Sequence, residues 1–285
     1  MLRRAALAWR PVTVWINGTL VPDDEARISV FDHGLVTGDG VFETIKVVRG
    51  VPFALSRHLA RLSRSAAGLG LAEPDLDQIR AGAMAVVESS SKPELARMRI
   101  TVTGGIAPLG SERGGSPLTA IVALAEAKAP APWCDVTTVP WPRNEHGALS
   151  GLKTTSYGEN VRALAYAVEH GGSEAIFPNT AGNLCEGTGT NVFVVSEGKL
   201  LTPPLSAGCL AGVTRALVIE WAGAAEQDLP LAALAGADEA FLTGTTRDVQ
   251  AIRRVDGQVL AAAPGPITKK AAEVFAMQAA ESPDP

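Results

Sequence analysis

Lys153 lies in a run of small, apolar and hydroxyl-bearing residues, Gly151-Leu152-Lys153-Thr154-Thr155-Ser156. A lysine without charged neighbours can be desolvated when the chain folds, and a desolvated ammonium group loses its proton more readily. The resulting free amine can attack an aldehyde to form a Schiff base, and it can then move protons. Because a lone lysine is more often a solvated surface residue, this interpretation depends on the residues that accompany Lys153.

The other lysines of the chain are weaker candidates for this chemistry. Five of them lie in polar loops, in a proline-rich stretch, in a turn or on a predicted terminal helix, where solvated side chains are expected: Lys92, Lys128, Lys199, Lys269 and Lys270. Lys46 follows a run of apolar residues in a predicted strand. It is therefore the one rival to Lys153.

A carboxylate follows downstream in the glycine-rich segment Glu186-Gly187-Thr188-Gly189-Thr190-Asn191. A carboxylate that faces a pyridine nitrogen keeps that nitrogen protonated, so that the ring accepts electrons from a substrate. A loop glutamate is commonly solvated, but the apolar strand predicted over 191–195 would place Glu186 beside a rigid element. Glu186 is therefore the second candidate for chemistry.

Two further segments could bind a phosphate group, which needs a helix N-terminus, backbone N–H groups and a fixed cation. Gly212-Val213-Thr214 leads into an apolar helix that Thr214 could cap, and Gly244-Thr245-Thr246 forms a second turn after a strand. Arg61 could supply the cation, although arginines within a helix usually lie on its solvated face. An amine, a carboxylate and a phosphate cradle together predict pyridoxal phosphate as the cofactor.

Other patterns that carry chemistry are weak or missing. Gly187-x-Gly189 lacks the third glycine of a dinucleotide-binding fingerprint, and there is no Walker-type lysine motif. The four histidines do not have the spacing of metal ligands, so no metal site is predicted. Cys134, Cys185 and Cys209 form no Cys-x-x-Cys pair, which favours buried thiols in a reducing compartment.

The composition of the 285 residues is compatible with one large domain or two of ordinary size. Hydrophobic residues make up 46% of the chain and charged residues 19%, so we expect a sizeable core and no disorder. The net charge of −5 and the lack of a long basic run argue against nucleic acid as a partner. The apolar stretch within residues 1–11 is too short for a signal peptide or a membrane span. We therefore expect an N-terminal extension there and a cytoplasmic protein without membrane contact.

Regular elements must position these side chains, and the first half of the chain predicts an α+β unit. Asn17-Gly18 is typical of a hairpin turn between two short strands. Apolar and alternating runs predict strands over 12–16, 20–21, 41–48, 98–102 and 118–124. Helical spacing of apolar residues predicts helices over 57–69 and 76–87.

The second half predicts a larger α/β unit. The proline- and alanine-rich segment 127–132 contains few packing residues and indicates a domain boundary. We expect a small N-terminal α+β domain, an interdomain linker and a C-terminal cofactor-binding domain over 12–126, 127–135 and 136–285. In the last of these, strands and helices alternate. The strands are predicted near 136–139, 191–195 and 240–243, and the helices near 160–170, 214–221 and 267–276.

Seven motifs occur in order along the chain: Gly38-Asp39-Gly40-Val41-Phe42-Glu43-Thr44, His58-Leu59-Ala60-Arg61-Leu62, Gly151-Leu152-Lys153, Glu186-Gly187-x-x-x-Asn191, Thr202-Pro203-Pro204, Gly212-Val213-Thr214-Arg215 and Gly244-Thr245. Each motif is weak alone, but the ordered set is specific and extends from about Val12 to near the C-terminus. Together the motifs resemble the class IV aminotransferase family, the fold type IV enzymes that use pyridoxal phosphate.

The resemblance implies a two-domain α/β protein that binds its cofactor between the domains, in a homodimer whose partner chain helps to enclose the site. It implies that Lys153 bonds to the cofactor aldehyde and shuttles protons, and that Glu186 pairs with the pyridine nitrogen. The residues that would bind phosphate are Arg61, Val213, Thr214 and Thr245. Tyr157 would approach the ring hydroxyl, although its spacing from Lys153 is one residue shorter than in the family pattern.

Within this family, the sequence departs from two branches. Branched-chain enzymes carry Phe-Glu-Gly where this chain has Phe42-Glu43-Thr44, and D-amino-acid enzymes carry an Arg-x-His carboxylate trap where it has Leu109-Gly110-Ser111. Thr44 and a glycine-rich stretch that ends in Arg113-Gly114 are more similar to aminodeoxychorismate lyases. The similarity implies that the amine substrate is aminodeoxychorismate, which would lose pyruvate and leave 4-aminobenzoate.

In such a lyase, Thr44 would assist proton delivery to the leaving group. Arg99 or Arg113 would hold a substrate carboxylate, in a substrate site that also includes Phe42 and Thr246. The alternative is a transaminase that acts on D-, branched-chain or other amines with a 2-oxo acid acceptor. A third hypothesis is a non-catalytic protein that has kept the fold. The presence of both Lys153 and Glu186 argues against this hypothesis.

Overall fold

The computed structural model describes residues 13–285, so the predicted N-terminal extension and the first residue of the strand predicted over 12–16 lie outside the described residues. These described residues form two β-sheets, one of six strands and one of nine, and helices pack against both. Within 13–285, no helix is long and apolar enough to cross a membrane. The predicted α/β architecture with an α+β first half is confirmed.

The first sheet consists of β1 (Thr13–Ile16), β2 (Thr19–Pro22), β3 (Gly40–Val48), β4 (Val51–Pro52), β5 (Leu95–Thr103) and β6 (Thr119–Glu126). All neighbouring strands are antiparallel, in the order β2-β1-β6-β5-β3-β4. The predicted turn at Asn17 and Gly18 joins β1 to β2 with φ angles of 47° and 97°. Asparagine and glycine adopt this left-handed conformation readily, which is why the hairpin forms here.

Three helices belong to this half: α1 (His33–Val36), α2 (Leu55–Leu69) and α3 (Leu76–Ser89). Leu59 and Leu62 of α2 pack on the face of β3 that carries Val41 and Ile45. Side chains alternate along a strand, so the opposite face of β3 presents Thr44 and its neighbours to the second half of the chain. That second face borders the candidate site.

The second sheet consists of β7 (Trp133–Thr138), β8 (Glu174–Pro178), β9 (Leu184–Gly187), β10 (Asn191–Ser196), β11 (Lys199–Thr202), β12 (Ala225–Glu226), β13 (Glu239–Gly244), β14 (Asp248–Val255) and β15 (Gln258–Val259). It is a mixed sheet with the order β12-β11-β10-β13-β14-β7-β8-β9, and β15 pairs with β14. β7 is parallel to both β8 and β14. Because β7 begins at Trp133, its first three residues fall within the stretch 127–135 that the sequence assigns to a linker.

The second half also contains α4 (Gly158–Glu169), α5 (Val213–Ala222) and α6 (Pro266–Glu281). Leu217 of α5 and Phe275 of α6 belong to one apolar cluster with Phe193 and Phe241 of the sheet. After α6 the chain returns to the first half, where the Ala54 N–H donates to the Pro283 carbonyl at 2.7 Å. The two halves are therefore joined at the start of α2 as well as by the chain between β6 and β7.

Candidate active site

The segment that contains Lys153 pairs with β3 of the first sheet, although it follows β7 in the chain. The Phe42 N–H donates to the Lys153 carbonyl at 3.0 Å, and the Thr155 N–H donates to the Gly40 carbonyl at 2.8 Å. The Lys153 N–H donates to the Ser65 hydroxyl of α2 at 3.2 Å. These bonds hold the backbone of Lys153 against a strand and a helix at once.

The amine of Lys153 lies over aromatic rings: Nζ is 4.4 Å from the ring centroid of Phe42 and 6.0 Å from that of Tyr157. Burial, followed by the positive charge of Arg61, lowers the pKa of Lys153 to about 8. The rival Lys46 is instead held by both carboxylate oxygens of Asp248, at 2.6 and 2.7 Å. The five lysines expected to be solvated are all exposed.

Glu186 lies in β9 with one carboxylate oxygen poorly satisfied. Its Oε2 accepts a hydrogen bond from the Leu210 N–H at 2.9 Å, whereas Oε1 lies 3.4 Å from Arg143 Nε, an atom that has no hydrogen-bond partner among the described residues. Burial raises the pKa of Glu186, although the nearby positive charge of Arg143 opposes this rise. A cationic donor such as a protonated pyridine nitrogen would satisfy this buried oxygen, so the pair fits the cofactor.

The N-terminus of α5 faces the same space. No side chain caps the helix at Gly212, and a Cβ atom built there would lie 2.0 Å from Asn191 Oδ1. The close approach of the asparagine explains why glycine stands at this position. The first-turn N–H groups, those of Val213 and Thr214, are therefore available to an anion, as a phosphate site requires.

Arg61 reaches the start of α5 from α2, across the two halves of the protein. Its Nη1 donates to the Ala211 carbonyl at 3.1 Å. Its Nε and Nη2 donate to the two oxygens of Glu43 at 2.8 and 2.6 Å, and His58 Nδ1 lies 2.7 Å from Glu43 Oε2. Although burial opposes ionisation, the charge and hydrogen bonds of Arg61 lower the pKa of Glu43 to about 2.

One cavity of about 830 Å³ connects these groups. A volume of this size is within the range of small-molecule sites. The predicted residues that line it are Lys153, Glu186, Arg61, Val213, Thr214, Thr245 and Tyr157. The structure therefore brings together the predicted amine, carboxylate and phosphate cradle.

Phe42 and Tyr157 form an aromatic wall near the amine. Their rings meet edge to face with centroids 5.2 Å apart, and the Tyr157 hydroxyl donates to the Thr188 carbonyl at 3.0 Å. On β5, the Arg99 guanidinium lies 3.5 Å from the Phe42 ring centroid. Thr44 faces Arg99 across the pair of strands β3 and β5. Thus Phe42, Thr44 and Arg99 border the site beside the lysine, without lining the cavity itself.

Two predicted substrate-binding residues, Arg113 and Thr246, do not line the cavity. Arg113 donates from Nε and Nη2 to the carboxylate of Asp39 at 2.8 and 2.6 Å, and from Nη2 to the Leu69 carbonyl at 2.9 Å. Its donors are engaged there, so Arg113 does not line the cavity of its own chain, and its contact with a substrate carboxylate stays a prediction. Thr246 lies outside the cavity wall and accepts from Arg97 Nη2 at 3.4 Å.

Several residues of the site were not identified from the sequence. Arg143 follows β7 without any motif, and only the fold places it against Glu186 and over the Phe177 ring, 4.1 Å from its centroid. Glu43 did carry a signal, because it interrupts the apolar face of a predicted strand. Such an interruption indicates a buried charge with a partner.

The amino-acid sequence matches the family model for amino-transferase class IV over residues 40–255. The chain belongs to this family. It is 34% identical to a putative branched-chain-amino-acid aminotransferase of Methanocaldococcus jannaschii, over 92% of this chain and 94% of that protein. It is 30% identical to a D-alanine aminotransferase of Staphylococcus haemolyticus, over 92% of this chain and 96% of that protein.

Solved structures of class IV aminotransferases have the same fold. The branched-chain aminotransferase of Thermoproteus uzoniensis with norvaline superposes with a TM-score of 0.88 at 31% identity, covering 94% of both chains. A branched-chain enzyme of Escherichia coli gives a TM-score of 0.88 at 28% identity, again covering 94% of both. The predicted two-domain fold type IV architecture is confirmed, and the cofactor of this family is pyridoxal phosphate.

Proposed function

We propose that this protein is a transaminase that moves an amino group from an amino acid to a 2-oxo acid. The observation that carries the proposal is the Lys153 amine, with its pKa lowered to about 8, in a cavity that also holds a buried carboxylate and an uncapped helix N-terminus. The relatives named as branched-chain and D-alanine aminotransferases support transamination over the lyase reaction. They also favour a small or branched aliphatic amino acid as the donor.

When bound, pyridoxal phosphate supplies an electrophilic aldehyde and an electron sink. Lys153 Nζ would take a proton from the α-carbon of the substrate and return it, because a pKa of about 8 lets the amine act as base and acid near neutral pH. Glu186 Oε1 would hold the proton of the ring nitrogen. Arg61 and the first-turn N–H groups of α5 would fix the phosphate, which orients the reacting carbon toward Lys153.

Arg99 is the best candidate to bind the substrate carboxylate. Its guanidinium lies 3.5 Å from the Phe42 ring centroid and donates from Nε to the Thr101 hydroxyl at 3.2 Å. Among residues 13–285 it forms no ion pair, so its Nη atoms are open to a substrate. Arg113, the other predicted candidate, is already bound to Asp39.

A panel of amino donors, each offered with and without a 2-oxo acid, tests this function. A transaminase turns over a donor repeatedly only when a 2-oxo acid accepts the amino group, and it accumulates one new amino acid per donor consumed. Lys153→Ala is the matched inactive control. Catalytic release of pyruvate and 4-aminobenzoate from aminodeoxychorismate, with no 2-oxo acid present, would overturn the transaminase proposal.

An aminodeoxychorismate lyase is the second candidate, and Thr44 is the residue that favours it. Thr44 stands where branched-chain enzymes have glycine, and its side chain is half-buried on the same face of β3 as Phe42. In a lyase its hydroxyl would deliver a proton to the leaving group. The variant Thr44→Gly would then lose 4-aminobenzoate formation, whereas a transaminase would retain its amino-transfer activity.

We further propose that two copies of the chain assemble in the cytoplasm around the site. Leu35 lines the cavity yet is 62% exposed, and Leu109, in the loop after β5, is 68% exposed. A partner chain that covers these leucines would remove apolar surface from water. Light scattering coupled to size-exclusion chromatography tests this, since a monomer at micromolar concentration would contradict it.

A further inference from the structure

Directly behind Arg61, a carboxylate is buried in the apolar face of β3. Glu43 is 0% exposed, and so are its neighbours on that face, Val41 and Ile45. A paired carboxylate in such a place adds little stability, since a well-packed apolar residue of similar size would be equally stable or more so. The burial of Glu43 therefore calls for a reason other than stability.

The hydrogen bonds of Glu43 determine how the Arg61 guanidinium is oriented. Glu43 Oε1 accepts from Arg61 Nε at 2.8 Å, and Oε2 accepts from Arg61 Nη2 at 2.6 Å. This bidentate pairing fixes the plane of the guanidinium and uses one of its edges. The remaining atom, Nη1, points forward and donates to the Ala211 carbonyl at 3.1 Å, one residue before the N-cap of α5.

His58 completes the arrangement from the preceding turn of α2. Its Nδ1 lies 2.7 Å from Glu43 Oε2, and its side chain is 1% exposed. Burial lowers the pKa of His58, so the imidazole is neutral and donates one hydrogen bond from Nδ1 to the carboxylate. Glu43 is thus held from two sides and cannot swing away from Arg61.

We propose that Glu43 and His58 are positioning residues for the phosphate end of the cofactor site. They touch neither the phosphate nor the reacting atoms, and they act by aiming the Nη1 edge of Arg61 at the start of α5. This inference rests on the proposed binding of phosphate by Arg61. It requires that the loss of Glu43 lower the affinity for a ligand with a phosphate group and leave the affinity for the same ligand without that group unchanged.

The test compares the dissociation constants of pyridoxal phosphate and of pyridoxal, which lacks the phosphate, for the full-length chain freed of cofactor. The variant Glu43→Gln should bind pyridoxal phosphate about tenfold more weakly or worse, as expected for a lost charge-assisted hydrogen bond. Its affinity for pyridoxal should change by less than about twofold, because Arg61 makes no contact with a phosphate there. A purely structural role would weaken both ligands alike.

Asp135→Asn is a matched control. Asp135 on β7 holds Arg253 by the same bidentate geometry, with distances of 2.9 Å to Nε and 2.6 Å to Nη2, and it does not line the cavity. We expect this variant to bind both ligands as the natural chain does. The inference would be overturned if Asp135→Asn weakened the binding of pyridoxal phosphate relative to pyridoxal as much as Glu43→Gln does. The loss would then follow from removing any carboxylate paired with an arginine, wherever it lies.

Arg61→Gln separates a failure of this inference from a failure of the proposed cofactor site. If Arg61→Gln weakens both ligands equally or neither, Arg61 does not bind the phosphate and the proposed site is wrong. If Arg61→Gln is phosphate-selective but Glu43→Gln binds both ligands as the natural chain does, the site stands and the positioning role of Glu43 is overturned.

Removing the charge of Glu43 leaves Arg61 unpaired in the interior, which destabilises a protein strongly. Should Glu43→Gln fail to fold, His58→Leu provides the test, because it keeps the Glu43–Arg61 pair and removes one donor. We expect a phosphate-selective loss of about two- to fivefold, corresponding to one neutral hydrogen bond. Equal losses for pyridoxal phosphate and pyridoxal, or none for either, would overturn the inference.

Discussion

At the residue scale, Lys153 places its amine 4.4 Å from the Phe42 ring centroid and shares its cavity with Arg61. Apolar surroundings and a like charge both favour the neutral amine over the ammonium group. Lys46 is instead held in a hydrogen-bonded ion pair, with its amine 2.6 Å from Asp248 Oδ1. The two lysines therefore differ in their surroundings, and these support the proposed catalytic role for Lys153 and a structural role for Lys46.

Replacing Lys153 with alanine should abolish turnover, by more than about 1000-fold, because in the proposed mechanism the same atom would form the covalent bond and move the protons. The fold should persist, since one polar side chain on a cavity wall contributes little packing. Activity assays and circular dichroism measure the two effects. Borohydride reduction of the cofactor-loaded protein, followed by peptide mapping, should locate the adduct at Lys153, and an adduct at Lys46 would contradict the assignment.

The pH dependence of cofactor capture should report the lowered pKa of Lys153. Only the neutral amine attacks an aldehyde, so the initial rate for the cofactor-free chain should rise with pH through a midpoint near 8. The rate rises because deprotonation frees the lone pair of the amine, and the midpoint lies near 8 because burial and the charge of Arg61 lower the pKa of Lys153. Arg61→Gln should shift the midpoint upward by removing a like charge, and a midpoint near 10.5 in the natural chain would exclude a desolvated amine.

The side chains with intrinsic chemistry could be predicted from the sequence. Lys153 and Glu186 stand in unusual local contexts, and the glycine and hydroxyl residues before α5 are typical of a phosphate cradle. Arg143 could not be found in this way, because its contact with Glu186 joins segments more than forty residues apart in the chain. The pairing of Arg113 with Asp39 could not be found for the same reason, since the two residues are seventy-four positions apart.

At the scale of elements, the first turn of α5 depends on the absence of a side chain at Gly212. The variant Gly212→Ala would place a methyl group 2.0 Å from Asn191 Oδ1, so either the asparagine or the helix start must shift. We expect weaker binding of pyridoxal phosphate by about tenfold, because the N–H groups proposed to bind the phosphate would move.

Fluorescence titration with pyridoxal phosphate measures this loss, and Gly236→Ala is a suitable control. Gly236 is exposed, and the nearest atom to an added Cβ there is the Ala232 carbonyl oxygen at 3.7 Å, an ordinary contact. Affinity unchanged in both variants would mean that the start of α5 does not contribute to phosphate binding.

Elements with strong periodicity were predicted with useful accuracy, and those without it were not. The helices α2 and α5 and the strands β3 and β10 show clear apolar patterns, and the structure confirms them. β14 was not predicted, because its sequence Asp-Val-Gln-Ala-Ile-Arg-Arg-Val mixes charged and apolar residues without regular alternation. In the structure β14 lies between β13 and β7 in the second sheet. Its burial therefore comes from these neighbouring strands, which the local sequence does not reveal.

At the scale of the whole molecule, an ion pair connects the two sheets. Lys46 on β3 binds Asp248 at the start of β14, and its amine lies 5.1 Å from the ring centroid of Phe53 and 5.8 Å from that of Phe275. The Lys46 side chain is 12% exposed, so removing Asp248 would leave a largely buried ammonium group without its ion-pair partner. The boundary predicted at 127–135 describes only where the chain passes from one half to the other. Contacts such as the Lys46–Asp248 pair hold the two halves against each other.

The variant Asp248→Asn should lower the free energy of unfolding by about 1–2 kcal/mol, because it leaves the Lys46 charge without its partner. Asparagine tolerates the left-handed φ of 51° at this position, so backbone strain should not contribute. Urea denaturation measures the change. Glu88→Gln, which removes the exposed Glu88–Lys92 pair, should change the free energy by less than about 0.5 kcal/mol, and equal effects would show that Lys46–Asp248 is an ordinary surface pair.

Because backbone hydrogen bonds tie the Lys153 segment to β3, a cofactor bound to Lys153 would connect the two sheets. One end of that molecule would be anchored through a lysine tied to the first sheet, and the other end through a helix built on the second. Loading the protein with it should therefore couple the melting of the two halves into a single cooperative transition, because separating them would require the ligand to leave.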